Sequence, residues 1–213
     1  TALVAFKVSV DADGDVTLTQ LRAVKHDLTN KQDETSLPLA VDSIKLTALV
    51  TDADGDSDSA TLNIGGTLSF KDDAPRISAS GVTHSLQVDE STYGVDATVN
   101  YSDAFTPVYG ADGAAQPINN PLVYSLNTAS GGTPTGLQDI LTGQPILLYK
   151  VGNDIIGRAG SNDVFKVSVD ADGDVTLDQI RAIRHTTGGG VDDVSAVIAA
   201  TAITLTATIK DGD

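Results

Sequence analysis

Apolar and polar residues alternate with a period of two along most of the chain. Val8 and Val10, then Val16 and Leu18, flank Asp11-Ala-Asp-Gly-Asp15 with polar residues between them. That pattern predicts a β-hairpin closed by a glycine-containing turn. Leu18, Leu21 and Val24 then recur every three residues, which predicts a short helical turn linking two strands. Residues 27–42 are polar and contain a proline, as expected of a surface loop. Alternation resumes at Ile44, Leu46, Ala48 and Val50, runs into Asp52-Ala-Asp-Gly-Asp-Ser-Asp58, and continues at Ala60, Leu62 and Ile64. Leu68 and Phe70 close the unit. Lys71-Asp-Asp-Ala-Pro75 reads as a boundary, because proline ends a ladder and carboxylates resist burial.

From Arg76 a second series begins. Val82, Leu86 and Val88 lead to Asp89-Glu-Ser91, and residues 95–101 alternate again. Residues 107–121 are rich in Gly, Pro and Asn and predict a loop. Short strands follow at 123–126, 140, 146–149 and 155–156, divided by turn signals at Gly143 and Gly152-Asn-Asp154. Ile203, Leu205, Ala207 and Ile209 repeat the strand pattern of residues 44–50, and the chain ends at Asp211-Gly-Asp213. Many short strands with regular turns and almost no helix indicate an all-β sandwich rather than a closed barrel.

The second series is partly a copy of the first. Residues 6–18 recur letter for letter at 165–177, 159 residues later (165 minus 6). Through His26 and His185, 17 of 21 positions match. A period this long means whole domains repeated rather than a small-unit solenoid. The expected division is residues 1–74, the C-terminal part of one repeat, and residues 75–213, most of the next without its closing strand. The sequence holds no Met, so an excised fragment is expected.

Composition narrows the chemistry. Trp and Cys are absent and aromatics are 4%, so Val, Ile, Leu and Ala must fill small cores without disulfides. Thiol catalysis and zinc–thiolate sites are excluded. No apolar run reaches the roughly 18 residues of a membrane span, and membrane insertion is not expected. Twenty-nine acids against 13 Lys and Arg give a net charge of −16. That balance lacks the basic footprint nucleic acid needs. It fits either a solubilising surface or acids clustered for divalent cations.

The acids are in fact grouped. Asp-Ala-Asp-Gly-Asp occurs three times, at Asp11, Asp13, Asp15, at Asp52, Asp54, Asp56 and at Asp170, Asp172, Asp174. Asp at alternate positions around a glycine-permitted turn converges oxygens of the kind Ca2+ takes. An EF-hand is excluded, because its twelfth position, a bidentate Glu, falls here on Arg22, Asn63 and Arg181. At 11–15 and 170–174 the motif also serves as a plain hairpin turn. The weight therefore falls on Asp52, Asp54, Asp56 and Asp58, with Asp72 and Asp73 after the next strand and Asp89 and Glu90 early in the following unit. These acids are expected to gather where one repeat meets the next. His26 and His185 read as capping or surface residues, and no Ser–His pairing suggests catalysis, so no enzyme is expected.

Together Val88-Asp-Glu-Ser91, Tyr109-Gly-Ala-Asp-Gly113, Tyr124-Ser-Leu126, the 165–177 element, residues 51–56 and Asp72-Asp-Ala-Pro75 resemble the repeats of giant bacterial adhesins exported by type I secretion, often as RTX proteins. A looser similarity is to cadherin repeats. Their early Glu would match Glu90, and their strand-ending Asp would match Asp52 and Asp211, with Asp213 beside the latter. The cadherin Leu-Asp-Arg-Glu is Leu21-Arg-Ala-Val24 here, so that ligand is missing. The resemblance implies a cadherin-like or Ig-like Greek-key β-sandwich, repeated in tandem. It also implies calcium as cofactor, neighbouring repeats as partners and an extracellular place on the bacterial surface. The implied role is an extender stiffened by calcium at inter-repeat junctions, for adhesion and biofilm formation. The alternative is a calcium-dependent module that binds a surface glycan or peptide.

Overall fold

The structure, a computed structural model, describes residues 3–26, 36–92, 94–111, 113–114, 121–185 and 196–210. Among them the chain is nearly all β, with two single-turn 3-10 segments at Gly65–Thr67 and Ser102–Ala104. It forms two compact units. One comprises Thr1–Arg76 with Val108–Pro117 and Lys210–Asp213, the other Ile77–Pro107 with Ile118–Ile209.

The first unit is built from antiparallel pairs. Strand β1 (Phe6–Val10) pairs with β2 (Val16–Gln20), with Val8 opposite Leu18. The two-residue strands β3 (Leu37–Pro38) and β6 (Ser69–Phe70) pair, and β4 (Lys45–Thr51) pairs with β5 (Ser57–Asn63), Leu46 opposite Leu62. Little of this unit is covered. Phe70 is buried and tilts against Phe6 at 5.2 Å between ring centres. Leu49, Val50 and Leu62 are each about two-thirds exposed, at 69%, 67% and 64%.

The second unit is a two-layer sandwich. Strands β7 (Arg76–Ala79) and β9 (Phe105–Val108) pair with each other. The main sheet also takes in β8 (Ala97–Asn100), and β10 (Leu122–Asn127) lies outside it. Strands β11 (Thr133–Gln138), β12 (Pro145–Val151), β13 (Asp154–Ala159), β14 (Asn162–Val169) and β15 (Asp174–Gln179) follow, in the spatial order β11-β12-β13-β14-β15-β8. β10 pairs instead with β16 (Thr204–Ile209) and packs over the sheet. Leu126 of β10 shares one buried cluster with Ile146, Leu148, Ile155, Phe165, Val167 and Val175 of the sheet. Each such side chain stabilises the fold by about 1.5–3 kcal/mol through area removed from water.

Two local features set this core. At Gly157 an added Cβ would lie 2.4 Å from the Phe165 ring, so glycine is what lets that ring lie flat on β13. The β13–β14 register shifts at Gly157/Arg158, and this bulge leaves both Val164 and Phe165 buried.

Residues 18–24 and 177–183 form no helical turn, contrary to the three-residue spacing. Leu21 N–H and Arg22 N–H both donate to the Ala5 carbonyl, and Ile180 N–H and Arg181 N–H both donate to that of Val164. The strand ends on a shared acceptor, and this irregularity produces the spacing. Strand β9 likewise extends into the predicted 107–121 loop. Strand β11 was hidden by Pro134 and by Gly136, which takes φ +82° where the β11–β12 register shifts.

Candidate metal centre

The turn between β4 and β5 follows from its sequence. Asp52 and Asp56 close it, Asp56 accepting from Asp52 N–H at 2.9 Å and Asp52 accepting from Gly55 N–H at 3.3 Å through main-chain carbonyls. Gly55 takes φ +100°, a left-handed value that a side chain would strain. Asp52 Oδ1 then accepts from Gly55 N–H and Asp56 N–H, at 3.1 and 3.0 Å. This holds one carboxylate oxygen inward.

The result is a cluster. One carboxylate oxygen each from Asp52, Asp54 and Asp56 lies within 4.8 Å of the others, and all three residues are exposed. Among the described residues this is the one group of three or more acids, His or Cys close enough to hold a metal ion. A hydrogen bond with the Asp54 side chain, helped by the Asp56, Gly55 and Asp54 N–H groups, holds the Asp52 carboxyl below its ordinary range against some desolvation. The donor set is all hard oxygen, with no nitrogen or sulfur, as suits Ca2+ or Mg2+ rather than zinc. Three carboxylates are fewer than the six to eight oxygens calcium takes, so carbonyls or water would complete its shell.

The two sister turns share the fold but not the cluster. Asp11 Oδ1 accepts from Asp13 N–H and Asp15 N–H at 3.0 and 2.9 Å, and Asp170 Oδ1 accepts from Asp172 N–H and Asp174 N–H, both at 2.9 Å. Asp174 is used differently again. Its Oδ1 accepts from Asn100 Nδ2 at 2.7 Å, and the same amide reaches the Asp172 carbonyl at 3.0 Å, tying β8 to the sheet.

Of the other predicted ligands, Asp58, Asp73, Asp89 and Glu90 accept hydrogen bonds, and Asp72 is buried beside a histidine. Asp58 lies on β5 and accepts from Ser59 N–H at 2.8 Å. Asp73 Oδ2 accepts from Ala111 N–H at 3.2 Å. Asp72 is 5% exposed at its side chain and lies 3.6 Å from His26 Nδ1. His26 is thus buried rather than superficial, near the Phe70 carbonyl as well. Asp89 accepts from Ser91 N–H and Oγ at 2.9 and 2.6 Å, which holds its carboxyl below the usual range, the hydroxyl contributing most. Glu90 Oε1 accepts from Ile183 N–H at 2.7 Å and Gln179 Nε2 at 2.9 Å, with His185 at 3.5 Å. Asp211 and Asp213 lie outside the described residues.

One buried acid escaped the sequence reading. Asp139 is fully buried and accepts from Arg181 Nε and Nη2, both at 3.1 Å, and from Thr142 N–H and Oγ1 at 3.0 and 2.6 Å. Arg181 first, then Thr142, hold its carboxyl below the ordinary carboxylate range. The available signal was the shared spacing of Gln20, Arg22 and His26 with Gln179, Arg181 and His185, polar residues repeated outside any turn.

No curated protein and no solved structure is significantly similar to this chain. A described family does match, over residues 1–65 and 85–213, which is most of the chain and includes all three Asp-Ala-Asp-Gly-Asp turns. The chain therefore belongs to the family described as a domain of unknown function (DUF5801).

Proposed function

We propose that this chain is a calcium-binding extender segment of a bacterial surface adhesin, made of β-sandwich repeats in tandem. The observation that carries the reading is the convergence of the Asp52, Asp54 and Asp56 carboxylates within 4.8 Å. In a chain of net charge −16 these groups repel one another and their surroundings. A dication offsets that repulsion, and an oxygen-only donor set on an exposed turn suits weak calcium binding. Extracellular modules bind calcium in roughly the 10⁻⁴–10⁻³ M range. At such strength the site fills outside a cell and empties inside one. Calcium bound by the acid-rich loops stiffens the array after export and holds an adhesive tip away from the cell surface.

Support also comes from the exact internal repeat, which suits a spacer better than an active site, and from the all-β architecture. The test is thermal melting with calcium and with chelator. Ligand at about ten times its Kd stabilises by about 1.4 kcal/mol, a rise in Tm of several degrees for a unit of this size. Small-angle scattering should show a stiffer particle with calcium. Melting and scattering that ignore both calcium and chelator would end the proposal.

A further inference from the structure

Of the three histidines, His26 alone is buried, with its side chain 4% exposed and that of Asp72 beside it 5%. His26 follows β2, and Asp72 follows β6. His26 Nε2 lies 3.4 Å from the Phe70 carbonyl oxygen. A carbonyl only accepts, so Nε2 carries the ring proton of that bond. Nδ1 then presents its lone pair to Asp72 Oδ1, 3.6 Å away. That oxygen is buried and accepts no hydrogen bond among the described residues. Two electron-rich atoms that face each other away from water need a positive charge between them.

Distance separates the two ways of supplying that charge. A proton on Nδ1 would draw the pair into a charge-assisted bond of about 2.7–2.9 Å, and 3.6 Å is beyond hydrogen-bond range. Two ligands about 2.0–2.2 Å from one tetrahedral dication stand about 3.3–3.6 Å apart. A metal-bound imidazole also commonly donates its other N–H to a backbone carbonyl, as Nε2 does to Phe70. The equivalent His185 supplies a contrast. It lies 3.5 Å from Glu90 Oε1, but that oxygen already accepts from Ile183 N–H and Gln179 Nε2. A cavity of about 460 Å3, lined by His26, Asp72, Gln20 and Asp73, leaves room for water at the His26–Asp72 pair. Lys71 and Arg22 line it too, but both are exposed and solvent screens their charges.

We propose that His26 Nδ1 and Asp72 Oδ1 are the protein ligands of a transition-metal dication of the Zn2+ type, with water from the cavity completing its shell. An imidazole nitrogen beside a carboxylate selects such an ion over Ca2+. Metal and ligands therefore both differ from those of the 52–56 turn, and the inference does not rest on the calcium reading. The bound ion joins the segment after β2 to the Lys71–Pro75 segment and cancels the buried charge of Asp72.

The experiment titrates Zn2+ into the full chain in excess calcium and follows the histidine ring nitrogens by NMR. The expected result is a saturable shift of His26 Nδ1 while Nε2 keeps its proton. A His26 ring that stays unshifted, or stays protonated on both nitrogens at the end of the titration, overturns the proposal. This readout uses the unaltered chain, so it holds even where a buried substitution unfolds the unit. Calorimetry adds the variants. His26→Gln and Asp72→Asn should each weaken zinc binding at least about tenfold, and His185→Gln should leave it within about twofold. Zinc affinity unchanged by both His26→Gln and Asp72→Asn overturns the proposal as well.

Discussion

Phe6 and Phe165 hold the same place in the repeat and carry different loads. Phe165 is 1% exposed, between Gly157 and the β10 layer, whereas Phe6 is half-buried against Phe70. Phe165→Ala should therefore cost about 3–5 kcal/mol by leaving a cavity. Phe6→Ala should cost about 1 kcal/mol, since much of the ring already meets water. Calorimetry of the two variants reads the difference. Equal losses would contradict the account of the two units. Asp139 makes a second residue-scale prediction. Its folded-state carboxyl titrates below the unfolded value, so its contribution is present above the unfolded pKa of about 3.9 and fades as pH falls through the folded value. Stability of the second unit should drop below about pH 4, and Asp139→Asn should flatten that drop. Urea melts between pH 2 and 7 would show it.

At the scale of elements, hairpins were the most legible part of the sequence. Strict alternation around Asp-Ala-Asp-Gly-Asp located β1–β2, β4–β5 and β14–β15, because one face of each strand is apolar and the turn needs a glycine with positive φ. The bulge was not legible. A shared carbonyl acceptor after β2 and β15 imitates helical spacing, and only the backbone distinguishes the two. Three identical turn sequences also did not reveal that the carboxylates converge in one turn. The Asp174 oxygen is drawn to Asn100 of a strand 74 residues away, a long-range contact no local pattern encodes. Gly173→Ala should accordingly destabilise more than Gly14→Ala. Both have left-handed φ, costing about 1–2 kcal/mol, but at Gly173 the new methyl also meets the Tyr124 ring at 3.0 Å, while at Gly14 it meets open space. Thermal melting of the pair is the check.

For the whole molecule, the sequence carried the all-β class and the long internal period, because both are written in alternation and identity. It did not carry the uneven burial of the two copies, which depends on strands distant along the chain, nor the pairing of Asp139 with Arg181. Net charge of −16 and grouped acids frame the central claim, that this chain holds calcium through the 52–56 turn. The most direct measurement is isothermal titration of calcium into the full chain and into the double variant Asp54→Asn, Asp56→Asn. Asn keeps the size and the turn but removes two of the three converging charges. Saturable binding with Kd in roughly the 10⁻⁴–10⁻³ M range is expected, with at least a tenfold loss in the variant. The equivalent pair Asp13→Asn, Asp15→Asn should change that binding less than twofold. Absence of calcium binding, or equal binding by the chain and the 54/56 variant, would contradict the claim.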